Sequence, residues 1–385
     1  MKYIVSLGVG KEQVFAINTA VSKGLKVIAF DIKECDYNLV KPDLFYNISI
    51  HEKEKIADIL SQYDICGVLP SPVGRNVITA GYLNDYFGFK GPSFLCCDIC
   101  SDKLKNNKYL EENGLPFLQD YKRDNITFPA ILKPQFGSGS RDVQIVYNQN
   151  EFDEVYSKYD GRYGEYLIQE YIKGVEYSCD IIIWGGEFHF LNIRSKQITQ
   201  EPYRQELSYI MPANISDKEY DTIHRTLDIY IKNMNIDSAV FHADIILKNN
   251  KAYIIDISPR AAGLNITSKL ITLSCGFNIY DYYINQILDK PNPKISKPDS
   301  YTLLQYIPFE NIQVYKDLDI PYIQDKYNIA YIECNITKGQ YLGKITNAAH
   351  ALNRGFYIIK NQSLEELYIQ NNKILDELTG GIVNE

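Results

Sequence analysis

Between residues 239 and 263, two apolar, Ile-rich runs flank the polar segment Lys248–Lys251. This pattern predicts a hairpin of two strands. Each run carries one aspartate, Asp244 and Asp256. Side chains alternate faces along a strand, so the turn decides whether the two carboxylates meet. A two-residue loop at Asn249-Asn250 pairs Asp244 with Ile255. A three-residue loop, Asn249 to Lys251, sets Asp244 opposite Asp256. Like charges placed opposite each other repel, and the isoleucines around them add a desolvation cost. Such a pair calls for a cation or a shared proton. Magnesium suits it, as a hard ion held by one or two carboxylates plus substrate phosphates. The competing reading puts both aspartates on a wet sheet edge. Ser258, Pro259 and Arg260 favour the first, because they place a hydroxyl and a permanent cation where a phosphate on the metal would lie.

The rest of the chain gives that hairpin a setting. Its 385 residues are 45% hydrophobic and 23% charged. That composition is globular and long enough for two or three domains. The net charge of −8, with no block of basic residues, argues against a nucleic-acid partner. No apolar run reaches the roughly 18 residues of a membrane span. The opening Met-Lys-Tyr-Ile-Val-Ser-Leu-Gly is too short in its apolar part for a signal peptide, so the expected compartment is the cytoplasm. Of eight cysteines, Cys96, Cys97 and Cys100 cluster. A zinc site needs a second ligand pair, and none is visible, so buried free thiols are the expectation.

The chain opens as βαβ. A strand at 3–7, the turn Gly8-Val-Gly10, a helix near 11–23 and a strand from Lys26 lead to Asp31. This is close to a dinucleotide-binding turn, but the third glycine position holds Gln13. A helix near 52–62, a strand at 65–69 and a helix over 74–87 continue an open, mainly parallel sheet. Ser101 or Asp102 caps a helix running to Asn113, with Lys103 in its first turn. Phe128–Pro134 reads as a strand containing Lys133. The loop Gln135–Arg141 follows, with Gly137, Ser138, Gly139 and Ser140, then a strand at 143–146 and a helix at 150–159. Glycine and serine let such a loop bend over phosphates and supply donors. Glu170, Tyr171 and Ile172 end a strand whose backbone can meet an adenine edge, and Glu176, past Gly174, can hold ribose hydroxyls. Residues 185–215 read as irregular and polar, suited to reading a substrate through Arg194, Lys196, Tyr203, Arg204 and Glu206. An amphipathic helix at 217–234 precedes the hairpin. After residue 300 come strands at 301–307, 329–335, 343–347 and 355–359 and a helix at 363–378, an α+β portion packing on the core sheet.

Taken in order, these motifs resemble the ATP-grasp superfamily, in its carboxylate–amine ligase and biotin-carboxylase-like branch. The resemblance implies an α/β fold in three parts. Residues 1–100 form a Rossmann-like pre-ATP-grasp domain, 101–184 a linker helix and lid, and 185–385 a catalytic domain with the terminal α+β portion. It also implies ATP and Mg2+, with Mn2+ as a substitute. Lys103, Lys133 and the loop 137–140 then bind phosphates, Glu170–Ile172 and Glu176 the nucleoside, and Asp244, Asp256 and Ser258 the metal. Lys133 and Arg260 take part in catalysis. The family's second metal ligand is usually glutamate, with asparagine two residues on. Asp256 and Ser258 stand there instead, which leaves one or two metal ions open. The implied activity joins a carboxylate to an amine through an acyl phosphate, releasing ADP and phosphate. Its substrates are small molecules, and a homodimer is an allowed assembly. A carboxylase or kinase of the same fold, or a non-catalytic nucleotide-binding protein, are the rivals.

Overall fold

The structure, a computed structural model, describes residues 2–72, 74, 77–137, 139–201, 203–292, 294–295 and 297–382. The first unit follows the alternation read from sequence: β1 (Tyr3–Leu7), α1 (Lys11–Ser22), β2 (Lys26–Asp31), β3 (Leu44–Asn47), α2 (Lys53–Leu60), β4 (Ile65–Val68) and α3 (Val77–Phe87). Its four strands are all parallel, in the order β3-β2-β1-β4. Apolar residues point to both faces of β1 and β2, as a sheet covered by helices on both sides requires. The cysteine cluster forms a helix of its own, α4 (Phe94–Ser101). All three of its thiols are buried and free.

Asp102 caps α5 (Lys103–Glu112), accepting from the backbone N–H groups of Leu104 and Lys105. A small three-stranded sheet follows: β5 (Ala130–Pro134), β6 (Gln144–Val146), α6 (Gln149–Ser157) and β7 (Tyr166–Glu170), with strand order β6-β5-β7. The chain then enters the large sheet through β8 (Val175–Trp184), β9 (Glu187–Ile198) and β10 (Glu206–Met211). The last two correct the irregular reading of 185–215. They lack apolar alternation because β9 is an interior strand whose polar side chains are buried and paired, Arg194 with Asp180 and Lys196 with Asp244. Helix α7 (Asp217–Lys232) begins with a Ser216/Glu219 capping box, and the hairpin β11 (Ser238–Lys248) and β12 (Lys251–Ser258) follows.

A π-helical turn at Ile266–Ile271 leads to α8 (Thr272–Cys275) and α9 (Ile279–Ile287). The terminal portion comprises β13 (Tyr301–Tyr306), β14 (Ile312–Gln313), α10 (Ile320–Lys326), β15 (Tyr331–Cys334), β16 (Tyr341–Leu342), α11 (Ala348–Arg354), β17 (Gly355–Asn361) and α12 (Leu364–Ile382). It joins the core sheet instead of packing on it. Strand β13 pairs with β10, giving the order β12-β11-β8-β9-β10-β13-β17-β15. The strand expected at 343–347 is not formed. The Ile345 N–H is met by Glu310 and the Gly343 carbonyl by Arg354, so its backbone needs no ladder partner.

One face of the large sheet is covered by α7, with Ile223, Leu227 and Tyr230 against Ile181, Ala239 and Phe241. On the other face Tyr280, Tyr283 and Ile284 of α9 meet Ile182 and Val240 in a cluster shared with Ile17 and Ala20 of α1. The passage from the small sheet to the large one is tight at Gly174. A Cβ there would lie 2.5 Å from the Leu247 carbonyl oxygen and 2.7 Å from Ile246 Cγ2. Gly174→Ala is therefore expected to destabilise the protein by about 1–3 kcal/mol, the usual cost of overpacking. It should also weaken nucleotide binding, because Ile246 lines the cleft. Thermal denaturation with and without nucleotide checks both.

Candidate active site

The hairpin reaches the predicted pairing by an unexpected route. Its turn is the two-residue kind, with Lys248 opposite Lys251 and positive φ at Asn249 and Asn250 (51° and 57°), the conformation a tight hairpin turn demands. That turn alone would put Asp244 against Ile255. A β-bulge next to Ile255 shifts the register so that Ile245 faces Ile254 and Asp244 faces Asp256.

The cation the pair requires is partly supplied by the protein. Lys196 of β9 places its ammonium 3.0 Å from Asp244, 3.5 Å from Glu176 and 3.8 Å from Glu206. Ser178 donates to Asp244 at 2.5 Å. Burial pushes Asp244 up, but Lys196, His242 and Ser178 outweigh it and hold the carboxyl well below the usual range. Asp256 differs. Its charge acts on Lys133 and on Arg260, but among the described residues its carboxylate has no direct hydrogen bond or ion pair. An acceptor with no donor, facing a second carboxylate, is a donor set that fits a divalent ion. Ser258 follows two residues on, opposite His242, and lines neither of the cavities described next.

Two cavities meet at this carboxylate pair. The first lies between the small sheet and the large sheet. Leu118, Ile131, Val143, Ile172, Ile246 and Ile255 form its apolar walls. Lys103, Lys133, Gly137, Gly139, Ser140, Glu170, Tyr171 and Glu176 also line it, which brings most of the predicted nucleotide residues together. Ser138 lies outside the described residues. Positive φ at Gly137, Gly139, Ser140 and Asp142 curls the loop over the cleft, and Lys103 donates to the Gly137 carbonyl at 3.1 Å. Burial, with Lys103 nearby, pulls the Lys133 ammonium down to about 7.

The second cavity, about 250 Å3, runs from the carboxylates toward the first unit and α11. Arg260, Glu12, His242 and Tyr209 line it with Leu264, Ile266 and Leu352. Arg260 donates to the Ala261 carbonyl, while its Nε is buried without a partner. Burial raises Glu12 against the pull of Arg260. Asp244, Asp256, Glu206, Gly139 and Arg141 line both cavities.

The predicted substrate residues divide. Glu206 stands at the junction. Arg204 pairs with Glu176 and lies over the Tyr171 ring, which puts it in the first cavity. Arg194, expected as a carboxylate clamp, is fully buried and held by Asp180, with Asn192 and His242 beside it. Burial pushes Asp180 up, but Arg194 and His242 together hold it at about 2. Arg194 and Tyr203 line neither cavity. The dinucleotide-like turn is closed by its own residues: Gln13 accepts from the Gly10 N–H and donates to the Pro72 carbonyl, and Asp31 accepts from the Val9 N–H.

Two residues at the site, His242 and Glu12, lay outside the expectation from sequence, whereas Lys196 fell in the polar stretch expected to read a substrate. His242 was accessible from sequence, standing two residues before Asp244 and so on the same strand face. For Glu12 no local signal exists, since it reaches the site only through the packing of α1 against α9.

A small sheet and a larger one close on a single cleft, with the chain passing between them beside Gly174. Residues 126–268 match the ATP-grasp domain model. The L-arginine-specific L-amino acid ligase of Bacillus subtilis is 21% identical over 314 residues, 76% of this chain and 75% of that protein. A D-alanine–D-alanine ligase of Petrotoga mobilis is 30% identical over 169 residues, 42% of this chain and 56% of the relative. In fold, the L-amino acid ligase from Bacillus licheniformis aligns with a TM-score of 0.82 at 19% identity, covering 98% of both chains. Residues 126–268 thus carry an ATP-grasp domain, and the relatives that the chain resembles are ligases. Among the described residues no helix is long and apolar enough to cross a membrane.

Proposed function

We propose that this chain is an ATP-dependent ligase that joins a carboxylate to an amine through an acyl phosphate, releasing ADP and phosphate. The observation that carries the reading is the junction of the two cavities at Asp244, Asp256 and Glu206 under one loop. A triphosphate in the first cavity would present its γ-phosphoryl group to a carboxylate in the second. In this reading residues 1–100 wall the second cavity, 101–184 form the lid and 185–385 carry the catalytic sheet. Asp244 and Asp256 would hold magnesium, with Ser258 adjacent. When bound, the ion supplies positive charge at the transferring phosphoryl group. Lys103 and Lys133 hold phosphates, the backbone at Glu170–Ile172 meets the adenine, and Glu176 faces the ribose. Arg260 stabilises the acyl phosphate oxygens, and the 137–141 loop excludes the water that would hydrolyse them. The named relatives support amino acids as carboxylate and amine.

Incubation with ATP, magnesium and pools of amino acids is expected to give ADP and phosphate only when a carboxylate substrate is present. Hydroxylamine should trap the acyl phosphate as a hydroxamate. Stoichiometric AMP and pyrophosphate would overturn this mechanism.

A further inference from the structure

Lys196 occupies the position in which a metal ion would neutralise Asp244. We propose that it is a transferable cation. It stands in for the metal while the cleft is empty, and it passes to a nucleotide's phosphates when the metal arrives, so the metal enters only together with nucleotide. The inference rests on the assignment of Asp244 and Asp256 to the metal.

The argument is one of charge and confinement. Glu176, Glu206 and Asp244 surround a single ammonium, at 3.5, 3.8 and 3.0 Å. Arg204 already pairs with Glu176, so Lys196 is the partner that Asp244 and Glu206 share. The lysine side chain is 5% exposed and rooted in an interior strand, so it cannot retreat into water. A divalent ion on Asp244 would then face an ammonium within a few ångströms, in a poorly solvated cleft where like charges repel strongly. The way out is toward the first cavity, which Lys196 lines together with Lys103 and Lys133. Polyphosphate is the anion that would receive it there. Without nucleotide the only other partners of the ammonium are Glu206 and Glu176, which keep it within a few ångströms of the ion, and the ion is disfavoured.

The test uses Mn2+ as the probe, with free ion followed by electron paramagnetic resonance. Without nucleotide, the wild-type chain is expected to bind Mn2+ weakly. Lys196→Met, which keeps the apolar stem and removes the charge, should gain a site about tenfold tighter or more. Adding Asp256→Asn to that variant should abolish the gain. If Lys196→Met is insoluble, Lys196→Gln removes the charge while keeping a donor toward Asp244. Equal Mn2+ binding by wild type and the charge-free variant overturns the inference, as does a gained site that survives Asp256→Asn. A parallel titration with a non-hydrolysable ATP analogue separates the two layers. Wild type should then hold Mn2+ in a ternary complex that Asp256→Asn loses. If it does and Lys196→Met gains nothing, the exchange of cations fails alone. If no ternary complex forms, the metal assignment itself fails.

Discussion

Asp256→Asn is expected to abolish turnover, by about a thousandfold or more, while leaving the fold intact. The size follows from the charge that a bound metal supplies to a transferring phosphoryl group, which is worth several kcal/mol. The intact fold follows from the surroundings. Among the described residues the Asp256 carboxylate has no hydrogen-bond or ion-pair partner to lose, and its cross-strand neighbour is another carboxylate. Removing one charge relieves repulsion in the metal-free protein, so the melting temperature should hold or rise. Asp244→Asn should behave differently, because it removes the charge that holds Lys196 and Ser178. The measurements are ATP-dependent phosphate release and thermal denaturation without metal. Near-normal activity in Asp256→Asn would remove the metal assignment.

The second large effect concerns Lys133. Lys133→Ala should raise the dissociation constant of ATP about tenfold or more, because a charge-assisted phosphate contact is worth roughly 1.5–3 kcal/mol. AMP, lacking the outer phosphates, should suffer less. The same lysine gives the interaction a pH signature. Its ammonium is pulled down to about 7 by burial and by Lys103, so in the free protein it is half deprotonated near neutrality. A bound phosphate favours the charged form and raises that value again. Binding therefore takes up a proton above pH 7, and ATP affinity should fall as pH rises from 7 toward 9, by at most about tenfold per unit. Below pH 7 the lysine is charged before binding and the slope from this group vanishes. Titration calorimetry in buffers of different ionisation enthalpy measures the uptake. A slope unchanged in Lys133→Ala would mean that another group is responsible.

The legible parts of the sequence were those in which chemistry and periodicity coincide. The carboxylate hairpin, the Lys133 strand with its glycine-rich loop, and the cap at Asp102 each announce themselves over a few residues. Strands β9 and β10 did not. Their polar side chains face a site and are paired across the sheet, so they lack the alternation by which a strand is recognised. Arg194 shows the converse error. A lone arginine in a polar stretch reads as a ligand for substrate, whereas its partner, Asp180, lies fourteen residues away on the neighbouring strand and buries it completely. The bulge beside Ile255 was equally hidden. Two-residue and three-residue loops were both open, and the protein combined the first loop with the register of the second.

The position of β13 in the large sheet also bears on synthesis. Strand β10 is complete at Met211, but its partner on the outer side begins only at Tyr301, ninety residues later. At roughly 5–20 residues per second the ribosome needs about 5 to 20 seconds to deliver that partner. During that interval Leu207, Tyr209 and Ile210 lie on a strand with one row of backbone groups unpaired, the kind of edge on which nascent chains aggregate. The carboxylate hairpin is made within the same interval and pairs with β8 on the opposite side. The catalytic half of the sheet can thus assemble on the ribosome before the terminal portion closes it, and the vulnerable species is a nascent chain whose active-site strands are already in place.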